Sequence, residues 1–239
     1  MNRIGDSADF AAAFGVSRET LGRLETYVQL LQTWQKTINL IAPSTLPDVW
    51  HRHVADSAQV WTAWRQVPMP ASGDGDAQDQ SPHQAGLHWL DLGSGAGFPG
   101  LVVGILSLDV GLRGSGPPFS RLTLIESDQR KAAFLREVVR STGLRDGMTV
   151  DIVAGRVESP ANHLKVGQVD VVSARALAPL PKLLDWSLPY FGPATTGLFL
   201  KGREAAAEMA AVSTGLGVVC RAVASATEPG ASIIVVRRR

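Results

Sequence analysis

Four glycines fall within eight residues, Gly93, Gly95, Gly97 and Gly100, directly after an apolar run that closes on Asp91 and Leu92. Glycine lets the backbone take positive φ angles and lets a ligand come close to the main chain. The string Leu-His-Trp-Leu-Asp-Leu-Gly-Ser-Gly-Ala-Gly-Phe-Pro-Gly at 87–100 therefore reads as a strand entering a nucleotide-type cofactor turn. Two cofactors compete for it. Residues 95–100 satisfy the dinucleotide spacing Gly-x-Gly-x-x-Gly, a weak signal alone. A dinucleotide loop cradles pyrophosphate, which a carboxylate at Asp91 would repel. S-adenosylmethionine carries no phosphate, and its ammonium and sulfonium groups are cations that an acid can hold. The form Asp-x-Gly-x-Gly-x-Gly favours the methyl donor.

Further polar residues fall at predicted strand ends. Glu126 closes a second strand, where a carboxylate can accept hydrogen bonds from ribose hydroxyls; an acidic start to the next helix is the plainer alternative. Gly155-Arg156-Val157-Glu158 follows a third strand, where an amide and a carboxylate could read an adenine edge. Ser173-Ala174-Arg175-Ala176 follows a fourth, the position that faces the transferred group in methyltransferases of this architecture. No Asn/Asp-Pro-Pro-aromatic motif for exocyclic amines stands there; the similar Gly116-Pro117-Pro118-Phe119 precedes the second strand. Carbon-5 alkylation of a pyrimidine needs a cysteine nucleophile, and the single Cys220 lies too late in the chain. What remains is an acceptor with its own lone pair, such as guanine N7, for which alignment and electrostatics suffice without a general base. Arg175 and Lys201 are the candidates for positioning. Arg52, His53, Lys201 and Arg203 are the candidates for RNA contact, although each could equally belong to a surface ion-pair patch.

The elements that must hold these residues alternate in type. Strands are expected at Leu87–Leu92 and at 122–125, 148–153, 169–173 and 198–200, with an antiparallel pair at 218–223 and 233–236. Helices are expected from 101 and over 128–142. The pattern predicts a doubly wound, mostly parallel α/β sheet. Ahead of it, Leu21, Leu24, Val28, Leu31, Gln35 and Ile38 recur at helical spacing, with Gln35 the one polar break. Residues 1–67 are therefore expected to form a helical cap. Residues 68–86, rich in Pro, Gly, Ser, Asp and Gln, read as a loop, and 87–239 as the main domain.

Net charge is +1 over 239 residues, so bulk electrostatics does not announce a nucleic-acid binder. One cysteine excludes an internal disulfide and fits a reducing compartment; a buried core thiol is expected for it. No apolar run reaches the length of a membrane span, and the expectation is a cytoplasmic chain. Neither a coiled coil nor a long apolar edge demands a partner, so a monomer is expected.

The ordered set Arg52-His53-x-x-Asp56-Ser57, Asp91 through Gly100, Leu124-Ile-Glu-Ser127 and Arg130-Lys131-x-x-Phe134-Leu135 continues with Arg156-x-Glu158, Ser173-Ala-Arg-Ala176 and Lys201-Gly202. Over residues 20–236 it closely resembles the glucose-inhibited division protein B family, bacterial guanine-N7 methyltransferases of small-subunit ribosomal RNA. The resemblance implies a Rossmann-like class I methyltransferase fold with a seven-stranded sheet and S-adenosylmethionine as cofactor. It also implies cofactor contacts at Gly93, Phe98, Val157, Glu158 and Arg175, and a guanine of 16S RNA, free or in the 30S particle, as substrate. Stretches 68–86 and 111–120 depart from it as insertions, and the end Gly230–Arg239 lacks the expected Arg-x-Leu-Val-Val form. A small-molecule methyltransferase or dehydrogenase on the same fold, and a non-catalytic RNA-binding assembly factor, are the rival readings.

Overall fold

A computed structural model of the chain describes residues 1–66, 86–109, 112 and 119–239. All but residue 86 of the expected loop at 68–86, and most of 111–120, lie outside these residues. At the N-terminus, Asp6 caps α1 (Ser7–Phe14) by accepting from the Asp9 amide, and Ser17 caps α2 (Arg18–Trp34) by accepting from the Thr20 amide. Helix α2 buries Leu24, Tyr27, Val28 and Leu31 on one face. Gln35 ends it, and its side chain then bonds the Leu40 and Ile41 amides at 3.0 Å each and the Ile41 carbonyl at 2.8 Å. The polar break in the apolar stripe is thus a side chain that folds the following loop. A 3-10 turn (Pro43–Asp48) and a six-residue π-helical segment (Trp50–Ala55) lead into α3 (Asp56–Arg65).

Seven strands follow: β1 (Leu87–Leu92), β2 (Phe119–Glu126), β3 (Thr149–Ala154), β4 (Val169–Arg175), β5 (Phe191–Lys201), β6 (Val218–Ala224) and β7 (Ser232–Arg238). Their order is β3-β2-β1-β4-β5-β7-β6, and β7 alone runs opposite in direction to the other six. The helices between them are α4 (Gly100–Ser107), α5 (Gln129–Ser141), α6 (Pro160–Val166), α7 (Leu180–Ser187) and α8 (Ala205–Ala210). This is the doubly wound architecture expected from the sequence.

Alternation along each strand sends side chains to two faces, and each face carries its own core. On one, Leu87, Trp89 and Val171 pack with the cap, α4 and α5. Trp61 and Trp64 of α3 gather there around Trp89 and Phe119, with ring centroids 4.8–6.3 Å apart, so the aromatic residues seat α3 on the sheet. On the other, Leu90, Leu92, Val172 and Ala174 pack against α7 and α8.

Strand β5 is much longer than expected. Gly192 and Pro193 interrupt its start in sequence, and the structure absorbs them as an irregularity: Val169 pairs with Phe191, yet Val171 pairs with Thr196. Cys220 lies on the edge strand β6 and is only partly buried, rather than a core thiol.

Candidate cofactor and acceptor sites

Parallel strands β1, β2 and β4 end side by side, and their C-terminal turns build the site. Gly93 (φ +63°) and Gly97 (φ +98°) take left-handed backbone that L side chains rarely adopt. The surroundings leave no room there either. A Cβ on Gly93 would lie 2.5 Å from Leu177 Cδ1, and one on Gly97 2.4 Å from Leu101 Cδ1 and 2.8 Å from the Tyr27 hydroxyl. That hydroxyl donates to the Ala96 carbonyl, so the cap pins the glycine turn through α2. Burial holds the Tyr27 phenol well above its ordinary pKa, which keeps it a donor.

Two carboxylates serve the turn differently. Asp91 has no exposed surface and sits beneath it, taking the Ser173 hydroxyl at 2.6 Å. The sequence reading that Asp91 holds a cationic group of the cofactor therefore gives way to one in which it braces the loop from below. Burial raises its pKa to about 6, partly offset by the Ser173 and Ser94 hydroxyls and the Gly100 amide. Glu126 stands at the surface of the cavity instead. One oxygen takes the Gly95 amide at 2.7 Å and the other the Asp128 amide at 2.7 Å. Each carboxylate oxygen has a second lone pair free for a hydroxyl.

A cavity of about 390 Å³ opens above these residues. Gly93, Gly95, Phe98, Glu126, Val157, Glu158 and Arg175 all line it, while Gly97 faces away toward Tyr27 and Leu101. Ile41, Leu177 and Trp186 complete apolar walls suited to a flat heterocycle. The chemistry of the donor set selects among nucleotides. Pyrophosphate needs free amides at the glycine turn, but the Gly95 amide already carries the Glu126 carboxylate, which would repel it. A phosphate-free nucleoside with hydroxyls and a cationic tail fits both the carboxylates and the walls.

A second cavity, about 510 Å³, adjoins the first across a wall of Arg175, Ala176 and Leu177. Ala176 takes φ +50°, the one non-glycine residue with positive φ among the described residues. Arg175 is the centre of this wall. Its Nη1 donates to the Arg52 carbonyl and to Asp56 Oδ2, both at 3.1 Å, and its Nη2 lies 2.5 Å from His53 Nδ1. The guanidinium carbon stands 5.2 Å from the Phe98 ring centroid. Asp56 in turn accepts from Gln59 at 2.7 Å and Thr227 at 2.6 Å, tying α3 to the β6–β7 turn.

The residues marked from sequence for RNA contact differ in setting. Arg52 is exposed and pairs with Glu228 at 2.5 Å, and Arg203 is exposed beside the β5 end. His53 is buried, and the Lys201 side chain is 8% exposed, bonded to the Ala178 carbonyl and paired with Glu208 at 2.8 Å. All but Arg203 line the second cavity. Sequence reasoning did not single out Tyr27, Leu177 or Gln59. Tyr27 carried a usable signal, since it stands three residues from Leu24 and four from Leu31 on the apolar stripe. Among the described residues no His/Cys/Asp/Glu cluster is suited to a metal, and no helix is long and apolar enough to cross a membrane.

Known proteins resemble the chain in fold and in sequence. The structure is similar to the O-methyltransferase TomG of Streptomyces achromogenes in complex with S-adenosylmethionine, with a TM-score of 0.55 at 11% identity over 96% of this chain and 93% of that one. In sequence it is 42% identical to a ribosomal RNA small subunit methyltransferase G from Parvibaculum lavamentivorans, over 98% of this chain and 90% of the relative. It is also 42% identical to one from a Methylobacterium strain over 93% and 91%. The model of the GidB family, rRNA small subunit methyltransferase G, matches residues 20–72 and 77–227. With a family model that matches most of the chain and relatives 42% identical over more than nine-tenths of it, the chain belongs to the GidB family.

Proposed function

We propose that the protein transfers a methyl group from S-adenosylmethionine to N7 of a guanine in 16S small-subunit ribosomal RNA. The observation that carries the reading is the paired cavities, one built against pyrophosphate and for a nucleoside, the other meeting it at Arg175. When bound, S-adenosylmethionine supplies an electrophilic methyl on a sulfonium. Glu126 and Glu158 would hold its hydroxyls and amine, while Phe98, Val157 and Ile41 cover the adenine. The second cavity would receive the guanine, with Arg175 setting the angle between the two and Lys201 shaping the floor. Arg52 and Arg203, exposed on that side, would meet phosphates.

N7 attacks with its own lone pair, so no proton must leave first. The groups around Arg175 suit that economy: Asp56 is committed to three donors and both His53 ring nitrogens have partners. Catalysis then rests on alignment of donor and acceptor. A monomer working in the cytoplasm on RNA or the assembling 30S particle goes with this reading.

The test is incubation with radiolabelled S-adenosylmethionine and small-subunit RNA or particles, followed by borohydride–aniline scission at N7-methylguanine. One cleavage site is the expected result. Label without scission overturns the N7 assignment, and an absence of label on either substrate overturns the reading.

A further inference from the structure

We propose that His53 is a positioning residue: its imidazole stays neutral and uses the bare Nδ1 to orient the Arg175 guanidinium between the donor and acceptor cavities. The inference rests on the function proposed above. It begins from hydrogen-bond direction. A guanidinium can only donate, so the 2.5 Å contact from Arg175 Nη2 requires a lone pair on His53 Nδ1. The opposite nitrogen, Nε2, lies 2.8 Å from the Thr45 hydroxyl oxygen. Thr45 spends its own proton on the Ala42 carbonyl at 2.8 Å, which leaves its oxygen to accept from Nε2–H. The chain Ala42–Thr45–His53–Arg175 therefore admits one tautomer.

A second proton on the ring would point at a cation. Burial, then Arg175 and Arg52, bring the His53 pKa down to about 3, in accord with that geometry. The ring also has a packing neighbour shared with its partner. Imidazole and guanidinium both lie over Phe98, at 5.1 Å and 5.2 Å from its centroid. Phe98 belongs to the glycine turn, His53 to the π-helical segment of the cap and Arg175 to the end of β4. Three separate parts of the fold thus meet to fix one planar cation. With Asp56 and the Arg52 carbonyl holding Nη1, only the hydrogen bond to His53 fixes Nη2 among the described residues, and with it the rotation of the plane.

The test compares His53→Leu, which removes the acceptor, with His53→Asn, whose amide oxygen can stand near the Nδ1 position. Methylation kinetics on RNA, cofactor affinity by calorimetry and thermal melting are read for each. The expected result for His53→Leu is a fall in kcat of about tenfold with cofactor and RNA affinities changed by less than about twofold. His53→Asn should recover most of that loss. Equal kcat losses in both variants, or a loss confined to RNA affinity and its salt dependence, would overturn the proposal and make His53 a packing or RNA-contact residue. Should His53→Leu fail to fold, nitrogen-15 spectra of wild-type imidazole decide directly. A bare Nδ1 beside a protonated Nε2 is expected, and the reverse tautomer or a doubly protonated ring at neutral pH refutes it. Wild-type protein that transfers no label to RNA instead refutes the underlying function, whatever the variants do.

Discussion

Replacing Gly93 with alanine separates backbone strain from loss of space at the cofactor turn. At φ +63° an L side chain costs about 1–2 kcal/mol, in the presence or absence of ligand. For a domain of this size that corresponds to a fall in Tm of roughly 2–8 °C. The second effect is steric and local. The new Cβ would sit 2.5 Å from Leu177 Cδ1, so the leucine must rotate, and it lines both cavities. A methyl group turned into the cofactor cavity should weaken S-adenosylmethionine binding roughly tenfold, equivalent to about 1.4 kcal/mol. Adding Leu177→Ala removes the obstacle while the strain stays. Calorimetry and melting on the four proteins of the cycle should show affinity restored in the double variant relative to Gly93→Ala, with the Tm loss persisting. An affinity loss that ignores Leu177→Ala, or a Tm that ignores Gly93→Ala, would refute the reasoning.

Three other outcomes can be measured without turnover. His53 and His88 are held at about 3 and about 4, mainly by burial, against 6.5 in the unfolded chain. The unfolded state therefore binds their protons first, so stability present above pH 6.5 is lost as pH falls toward 4. Asp91, raised from 3.8 to about 6, works in the opposite sense, its contribution being lost as pH rises through 6. His88→Gln should flatten the acid-side slope in denaturant titrations, and parallel curves for variant and wild type would contradict this. On the RNA side, Arg203→Ala should lower the slope of log affinity against log salt by about 0.7–0.9 for each phosphate that Arg203 neutralises. Lys201→Ala should instead lower Tm, because it removes the bond to the Ala178 carbonyl and the ion pair to Glu208, whose carboxylate keeps only the Leu180 amide among the described residues. A salt slope that responds to Lys201 and not to Arg203 would reverse these roles.

Much of the sheet was legible because each parallel strand is a short apolar run with a glycine, acid or helix signal at its end. Features set by distant partners were not. The Arg175 environment draws Arg52, His53 and Asp56 from more than a hundred positions away, and no local spacing reports such a meeting. Asp91 shows a different limit. Its residue type advertised charge for a ligand, whereas the register of β1 between β2 and β4 turns it under the loop toward Ser173. Glu126 and Asp91 are both acids at strand ends, and only three-dimensional placement distinguishes the one facing the cavity from the one supporting it. Gln35 looked like a flaw in an apolar stripe because its partners, Leu40 and Ile41, bond through backbone atoms that carry no side-chain signature.

The stitching of the cap to the β6–β7 turn has a consequence for how the molecule comes into being. His51 reaches the Thr227 carbonyl, and Gln59 takes the Ala226 amide, across up to 176 positions of chain. During synthesis at about 5–20 residues per second, the cap emerges roughly 9–35 s before the residues it must grip. Until those residues arrive, the side of the second cavity lined by Thr227 and Glu228 has not been built. The β6–β7 turn thus ties completion of the second cavity to a long-range contact rather than to any local fold.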